Sequence, residues 1–346
     1  MKHTAISYTL SVLLTLIFLF SCKQNTNQSL LPELNQAEAI MYEYPDTALL
    51  ILEQMQVPPP SDRLQYATWS LLLTQARYKN YVTQSSDSLI NIAYDYFIKQ
   101  DDPQRKALSL YLKGALYAEW GDVDKALPHL LNAAEEVEKT SDYQLGHLIH
   151  LEIGSIYVYR VLYEYAKEAF RRSLEYAEFS GNKVYIASAL LHIARIHSLI
   201  ESYEESIPYY KEAINAAKLS KKPNTISSAV GELAAIYREC GNYSLALQHA
   251  YKALSINIKE NLPKEQDYLD IGDIYNRLGV RDSAYYYLKQ SIHTDNIYTK
   301  RSAYRVLYNL AKEEKNYEKA LEYGDQYRFY ADSIQRVDRS STLIEM

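Results

Sequence analysis

The chain has 346 residues, a formal net charge of −6, and only 10 glycines and 10 prolines. The mild acidity argues against a nucleic-acid partner, because a nucleic-acid binder of this size would carry a basic face. Few helix breakers over this length predict long helices with short loops, and 35 tyrosines indicate many half-buried helix surfaces. Cys22 and Cys240 are the two cysteines, so no disulfide framework is expected.

The first 21 residues have the pattern of an exported protein. Lys2 precedes an uncharged, mostly apolar run at residues 5–20, which is shorter than the roughly 20 residues that span a membrane and is typical of a secretory signal. The run ends Ser21-Cys22, which resembles the lipobox of bacterial lipoproteins. The resemblance implies a signal peptide at residues 1–21, cleavage before Cys22, and lipidation of Cys22. The alternative is an uncleaved signal anchor with an ordinary Cys22.

A polar tether at residues 22–30 leads into a region, residues 31–100, whose helical pattern is irregular. The motif Pro45-Asp46-Thr47-Ala48 predicts the end of one helix and the start of another. Residues 57–62 include three consecutive prolines and break the chain again. A further long helix is predicted to begin at Leu71, followed by one at residues 88–97. We interpret the region as two degenerate helix pairs.

From residue 101 to residue 335 the sequence repeats itself about six times. A small residue recurs at intervals of 40, 40, 40 and 38 residues, and a weaker sixth copy is centred on Tyr308. The small residues are Gly114, Gly154, Ala194, Ala234 and Gly272. Seven residues after each of them stands Gly121, Val161, Glu201, Gly241 or Gly279. Twelve residues after the repeat centres stand Ala126, Ala166, Ser206, Ala246, Ala284 and Ala320.

This pattern resembles the tetratricopeptide (TPR) family. Each repeat is then a pair of antiparallel helices that touch at the small residues, and a glycine ends the first helix in a left-handed conformation. The resemblance implies an all-α, TPR-like α-solenoid, a right-handed superhelix of about eight helix pairs with the first helices on its concave face. Residues 336–346 are expected to form a polar tail. Together with the lipobox, the pattern is similar to TPR lipoproteins of Bacteroidetes-type bacteria, which implies a lipid-anchored protein of the cell envelope, in either the inner or the outer membrane. The residues after Cys22 include no acidic cluster of the kind that marks surface display in such bacteria, which favours the periplasmic side.

In this family, ligand contacts come from the first helix of each repeat, one, four and five residues after the small residue. Carried onto this sequence, the resemblance predicts a peptide-binding groove that contains Arg195, Arg238, Asn276, Arg277, Arg305, Asn309 and Lys312. Such side chains hold a peptide backbone or a carboxylate, so one hypothesis is a groove for an acidic group or a free C-terminus. The alternative is that these side chains pair with Glu239, Asp273 and Glu313 of neighbouring repeats.

Motifs for catalysis are absent from the sequence, which contains no phosphate-binding glycine loop, Gly-x-Ser-x-Gly or His-Glu-x-x-His. His147 and His150 share a helix face, but two imidazoles without a third ligand make a weak metal site. We therefore predict no catalytic residue, no metal and no cofactor. The acidic run at residues 135–138 is expected to be a solvated face, and Cys240 a small packed side chain.

We therefore predict that the protein functions by binding other molecules. The first hypothesis is a membrane-anchored scaffold or adaptor, tethered through the lipid on Cys22, that binds protein or peptide partners. The alternative is a ligand- or peptide-sensing input domain of a signalling or transcription-regulating system, whose effector part lies outside this sequence. A metal-dependent enzyme is a remote third reading.

Overall fold

The computed structural model describes residues 29–344, with side chains through Arg336. Residues 1–28 lie outside this range, so the predicted signal peptide, Cys22 and most of the tether are not described. The described part contains sixteen α-helices and no strand, which confirms the all-α prediction. It divides into two compact units, an N-terminal unit that ends at Tyr96 and a C-terminal unit that begins at Phe97.

The N-terminal unit contains four helices. They are α1 (Pro32–Ile40), α2 (Pro45–Gln54), α3 (Arg63–Lys79) and α4 (Ser88–Phe97), the last of which ends at the unit boundary. The prediction that the long helix begins at Leu71 is wrong: α3 begins two turns earlier. The Asp62 side chain accepts a hydrogen bond from the backbone N–H of Gln65 at 3.3 Å and so caps the helix at this point.

The repeat spacing is also present in α3. Thr74 is fully buried, and its hydroxyl donates to the Ser70 carbonyl at 2.8 Å. Seven residues later, Tyr81 has a φ of 56°, in the left-handed region. This is the spacing of Gly114 and Gly121, so Thr74 occupies the small-residue position and Tyr81 the helix-terminating position of the repeat.

The C-terminal unit contains six helix pairs. The first three pairs are α5 (Pro103–Glu119) with α6 (Val123–Val137), α7 (Tyr143–Tyr159) with α8 (Tyr163–Ser180), and α9 (Lys183–Leu199) with α10 (Tyr203–Ser220). The other three are α11 (Pro223–Glu239) with α12 (Tyr243–Lys259), α13 (Glu265–Arg277) with α14 (Arg281–Ser291), and α15 (Ile297–Glu313) with α16 (Tyr317–Ile344). Within each pair a three-residue turn folds the second helix back along the first.

The small residues lie where the two helices of a pair touch. A methyl group on Gly114 would lie 2.7 Å from Leu130 Cγ, and one on Gly272 would lie 2.8 Å from Leu288 Cγ. Both distances are too short for a carbon–carbon contact, so glycine sets the helix separation at these two points. Ala194, at the same repeat position, is fully buried. The predicted role of the small residues is confirmed.

The turn between the helices of a pair is left-handed whether or not it contains glycine. Gly121, Gly241 and Gly279 have φ values of 82°, 74° and 73°, and Val161 and Glu201 have values of 60° and 59°. In the Val161 turn the next backbone N–H, of residue 162, donates to the carbonyl of residue 157 at 2.8 Å, which closes the helix end. Val161 therefore adopts a conformation that costs a β-branched residue about 1–2 kcal/mol.

The last helix extends beyond its expected end. Helix α16 continues to Ile344 and so includes most of residues 336–346, which we expected to form a polar tail. No glycine or proline occurs between residues 325 and 344 to stop it. Within residues 29–344, no helix combines the length and the apolar character that crossing a membrane requires.

Candidate functional site

Arg195, the first of the predicted groove residues, is bound to the next repeat. Its Nε and Nη2 donate to the two carboxylate oxygens of Glu232 on α11, at 2.8 and 2.6 Å. The Tyr210 hydroxyl on α10 also donates to Glu232, at 3.1 Å. A two-pronged guanidinium–carboxylate contact of this kind fixes geometry and compensates both charges. Arg195 therefore cross-links α9 to α11.

Arg238 and Arg277 are also engaged by carboxylates. Arg238 lies 3.0 Å from Glu239, 3.3 Å from Asp270 and 3.2 Å from Asp273, with 16% of its side chain exposed. Arg277 lies 3.3 Å from Glu239 and 3.5 Å from Asp273. The pairing with Glu239 and Asp273, which the sequence left open as an alternative, is present. These two arginines join α11 to α13 and offer little uncompensated charge.

The remaining predicted residues lie near the end of the unit. Arg305, Asn309 and Lys312 are exposed on one face of α15, at spacings of four and three residues. Arg305 and Lys312 have no carboxylate partner among the described residues, and the Lys312 ammonium lies 6.0 Å from the Tyr308 ring centroid. Asn276 is half-buried in the last turn of α13. We call Arg305, Asn309 and Lys312 the basic row.

A polar cleft, which sequence reasoning missed, lies between α11 and α13. Its volume is about 450 Å³. It is lined by Asn224, Ser227, Ser228, Gly231, Glu232, Ala235, Asn257, Leu262, Pro263, Gln266, Asp267 and Asp270. Most of these side chains are amides, hydroxyls or carboxylates, and most lie on first helices. The cleft therefore belongs to the face on which the family pattern places ligand contacts.

The cleft exists because α13 lacks its first turn. Helix α11 has 17 residues and α13 has 13, although their small residues, Ala234 and Gly272, stand at equivalent positions. Leu262-Pro263 occupies the place of the missing turn, and the residue before a proline is disfavoured in helical conformation. The first turn of α11 is left uncovered as a result. The sequence carries a signal for this: the repeat interval shortens to 38 residues here, and Pro263 follows.

Two aspartates of the cleft are held in unusual electrostatic surroundings. Asp267 is 8% exposed and accepts a hydrogen bond from the Asn257 amide at 2.6 Å. Burial raises the pKa of Asp267 to about 6, against the opposing effect of Asn257. Burial likewise raises the pKa of Asp270 to about 6, although Arg238 and Gln266 act to lower it. Both are ionised at neutral pH, and Asp267 has no cation partner among the described residues.

The two histidines considered as metal ligands are packed against other side chains. His147 is 1% exposed, its Nδ1 lies 2.8 Å from the Ser173 hydroxyl, and its ring stacks on Tyr185 at 4.5 Å. His150 stacks on Tyr176 at 5.4 Å. Burial lowers the pKa of both histidines to about 4, so both are neutral at pH 7. The described residues contain no group of three His, Cys, Asp or Glu side chains placed to hold a metal.

Two smaller expectations differ from the structure, one wholly and one in part. Cys240 is not packed: it is exposed, because it follows the last residue of α11 at the turn that precedes Gly241. In the acidic run, Glu135 and Glu138 are exposed as expected, and Glu136 is the exception. Glu136 has 13% of its side chain exposed and lies 2.7 Å from Lys106 and 2.9 Å from Lys139, since it faces the neighbouring first helix.

Comparison with known proteins supports the fold. The family model described as anaphase-promoting complex subunit 5 matches residues 69–151 and 156–239, together just under half of the chain. Comparison with curated protein sequences gave no match.

Solved structures match over most of the chain. A STAND protein with a tetratricopeptide repeat sensor from Pyrococcus horikoshii is similar with a TM-score of 0.68 and 17% identity, over 89% of this chain and 47% of that one. A Rap protein complexed with competence and sporulation factor gives a TM-score of 0.58 and 14% identity, over 88% and 98%. Aspartyl phosphate phosphatase F from Bacillus subtilis gives 0.55 and 14%, over 86% and 93%. The predicted TPR-like repeat fold is thereby confirmed.

Proposed function

We propose that the protein is a membrane-anchored, TPR-like scaffold that binds a segment of a protein or peptide partner on the first-helix face of its C-terminal unit. The observation that carries this proposal is the cleft between α11 and α13, where the carboxylate of Asp267 is buried without a cation partner. A buried carboxylate of this kind costs stability until it is paired. A cationic group on a bound partner supplies the missing charge.

The other groups of the cleft suit a peptide backbone. The Asn257 and Gln266 amides donate to Asp267 and Asp270, and the Ser227 hydroxyl donates to the Ala253 carbonyl. The Asn224 amide and the Ser228 hydroxyl, which also line the cleft, can pair with the N–H and C=O groups of an extended segment. The cleft therefore favours a segment that combines exposed backbone with an amino or guanidinium group.

The basic row extends the same face by one repeat. It lies on α15, the first helix of the repeat that follows the α13–α14 pair, and packed helices are roughly 8–10 Å apart. At roughly 3.3 Å per residue, an extended segment of about three to five residues reaches from the cleft to the row. Arg305 and Lys312 then meet an acidic side chain or a C-terminal carboxylate, as the sequence analysis predicted for this part of the groove.

Similar folds and the N-terminal sequence support the rest of the proposal. One structure of similar fold is a Rap protein complexed with competence and sporulation factor, and another carries a tetratricopeptide repeat sensor. The apolar run at residues 5–20 and the Ser21-Cys22 pair support lipidation of Cys22 and attachment to a membrane of the cell envelope, on its periplasmic side.

A second candidate function is a sensor, and the network around Arg238 favours it. Arg238 on α11 contacts Asp270 and Asp273 on α13. A ligand cation that binds Asp270 competes for this contact and so changes the link between two adjacent repeats. In that case the binding energy of the ligand shifts the relative position of the repeats. Small-angle scattering with and without ligand separates the two candidates, because only the sensor changes its radius of gyration.

Selection from a displayed heptapeptide library on the purified chain tests the binding proposal. We expect the selected peptides to converge on a basic group and an acidic group three to five residues apart. The double variant D267N/D270N is expected to lose the basic preference, and R305Q/K312Q the acidic preference. D295N, which changes an exposed loop aspartate, is the matched control. A wild-type chain that selects no convergent sequence, or a D267N/D270N variant that selects the same peptides, contradicts the proposal.

Membrane attachment is tested separately with C22S. We expect the wild-type chain to incorporate labelled palmitate and to sediment with membranes, and C22S to do neither. Equal labelling of both chains contradicts lipidation at Cys22 and leaves the groove proposal to its own test.

A further inference from the structure

A second cavity, of about 280 Å³, lies between the end of α6, the start of α7 and the C-terminal half of α8. None of these helices lines the cleft. The cavity is bordered by three aromatic rings, two carboxylates and one guanidinium, which are those of Tyr143, Tyr176, Phe179, Glu138, Glu175 and Arg172. We refer to it as the aromatic cage.

Two of the rings are open to solvent. Phe179 is 72% exposed and Tyr143 is 39% exposed, and their centroids are 5.5 Å apart with 31° between the ring planes. A phenylalanine exposed to this degree beside a concave surface gains nothing from core packing. Aromatic faces carry negative electrostatic potential, so the pair presents an apolar, cation-attracting wall to the cavity.

The third ring, that of Tyr176, occupies space that is open because residue 146 on the facing helix is a glycine. Gly146 lies inside α7, where glycine weakens a helix, and it occupies neither of the two glycine positions of the repeat. A methyl group at Gly146 would lie well inside 3.0 Å of the Tyr176 ring. His150 stacks on the same ring at 5.4 Å. The position of Tyr176 is therefore fixed by the residues around it.

The charges of the cage leave a net charge of −1. Arg172 lies 3.0 Å from Glu175 and 3.8 Å from Glu138, and its side chain is 49% exposed. The contact with Glu138 is long and solvated, so it holds Arg172 weakly. An incoming cation can displace the guanidinium from Glu138 while Glu175 retains it. The sum of two carboxylates and one guanidinium matches a single positive charge.

We propose that the aromatic cage binds an organic monocation, an alkylammonium or guanidinium group. The cation lies against the faces of Tyr143, Tyr176 and Phe179, and the carboxylates of Glu138 and Glu175 contact it from the rim. The cage is then a binding site distinct from the groove on the first-helix face. A free quaternary amine and a lysine or arginine side chain of a partner share this chemistry, and the experiment separates the two sources.

Titration of the purified chain with choline and, separately, with Nα-acetyl-lysine amide tests the proposal, with sodium chloride at equal ionic strength as the reference. We expect millimolar binding that F179A weakens about 5- to 20-fold. Y159A removes an equally exposed ring, 74% exposed, that does not border the cavity, and is expected to bind as the wild type does. Tighter binding of choline identifies a free cation as the ligand, and tighter binding of the lysine amide identifies a partner side chain.

The direction in which R172Q changes the cation affinity is the most decisive test. This variant removes the competing guanidinium and makes the net charge of the cage −2. We therefore expect it to bind the cation about 2- to 5-fold more tightly. G146A, which leaves every cage residue in place and displaces the Tyr176 ring, is expected to weaken it about 3- to 10-fold, with helical content checked by circular dichroism. Weaker cation binding by R172Q, or equal binding by F179A and Y159A, overturns the proposal.

Discussion

Replacement of Asp267 by asparagine tests the electrostatics of the cleft most sharply. Asp267 is 8% exposed, and burial raises its pKa from the ordinary 3.8 to about 6. The folded protein therefore binds this proton more tightly than the unfolded chain does. It follows that the free energy of unfolding falls as the pH rises from about 4 to about 6, and that the loss is complete above the folded-state pKa.

The size of the effect follows from the two pKa values. The difference between 3.8 and about 6 corresponds to about 3 kcal/mol. Asparagine has nearly the same shape, carries no charge and keeps an oxygen that accepts the 2.6 Å hydrogen bond from Asn257. D267N is therefore expected to be more stable than the wild type by up to about 3 kcal/mol at pH 7.5 and about equal to it at pH 4.

Urea unfolding followed by circular dichroism at pH 4, 5, 6 and 7.5 measures this difference. D295N, at an exposed aspartate in the loop between α14 and α15, is the control and is expected to differ from the wild type by less than about 0.5 kcal/mol at every pH. A D267N variant that is less stable than the wild type at pH 7.5, or a gain that does not change with pH, refutes the reasoning.

Three further predictions concern the repeat itself, and thermal unfolding of the purified chain measures all of them. G154A is expected to destabilise the protein by about 1–3 kcal/mol, because the added methyl group would enter the space of the buried Phe170 ring. G231A has room for a methyl group and is expected to stabilise the protein by about 0.5–1 kcal/mol. Equal effects of the two substitutions would contradict this account of the packing. R238M is expected to cost about 2–3 kcal/mol at pH 7 and less at pH 4, where Asp270, whose pKa burial raises to about 6, is protonated. V161G is expected to gain about 0.5–1 kcal/mol and G241V to lose about 1–2 kcal/mol, since both positions are left-handed; opposite signs would be inconsistent with strain at this turn.

The repeat was predictable from the sequence because its requirements are local and recur. Gly114 and Gly272 are spaced by the repeat and lie where helices touch, and Gly121 and Gly241 occupy a turn that must be left-handed. These constraints act through the backbone, which tolerates few alternatives. Val161 occupies the same left-handed turn position at an energetic cost. The repeat spacing identified this position as equivalent to those of Gly121 and Gly241 although its residue is not a glycine.

The candidate site was predictable only in part. The first-helix positions identified Arg195, Arg238 and Arg277, but whether they face a ligand or a neighbouring repeat depends on contacts between residues 32–38 apart. The cleft was missed because it arises from the absent first turn of α13, an effect of chain length rather than of residue type. The sequence signals of the cleft were Pro263 and the repeat interval that shortens to 38 residues between Ala234 and Gly272.

The central claim is that partners bind on the first-helix face of the C-terminal unit, and site-specific photocrosslinking in cells tests it most directly. A photoreactive phenylalanine analogue in place of Ala235, inside the cleft, is compared with the same analogue in place of Lys252, exposed on the second helix α12. The account predicts a defined crosslinked product from position 235 that disappears in the D267N/D270N background and is absent from position 252. Identical products from both positions, or a product at 235 that survives D267N/D270N, would contradict it.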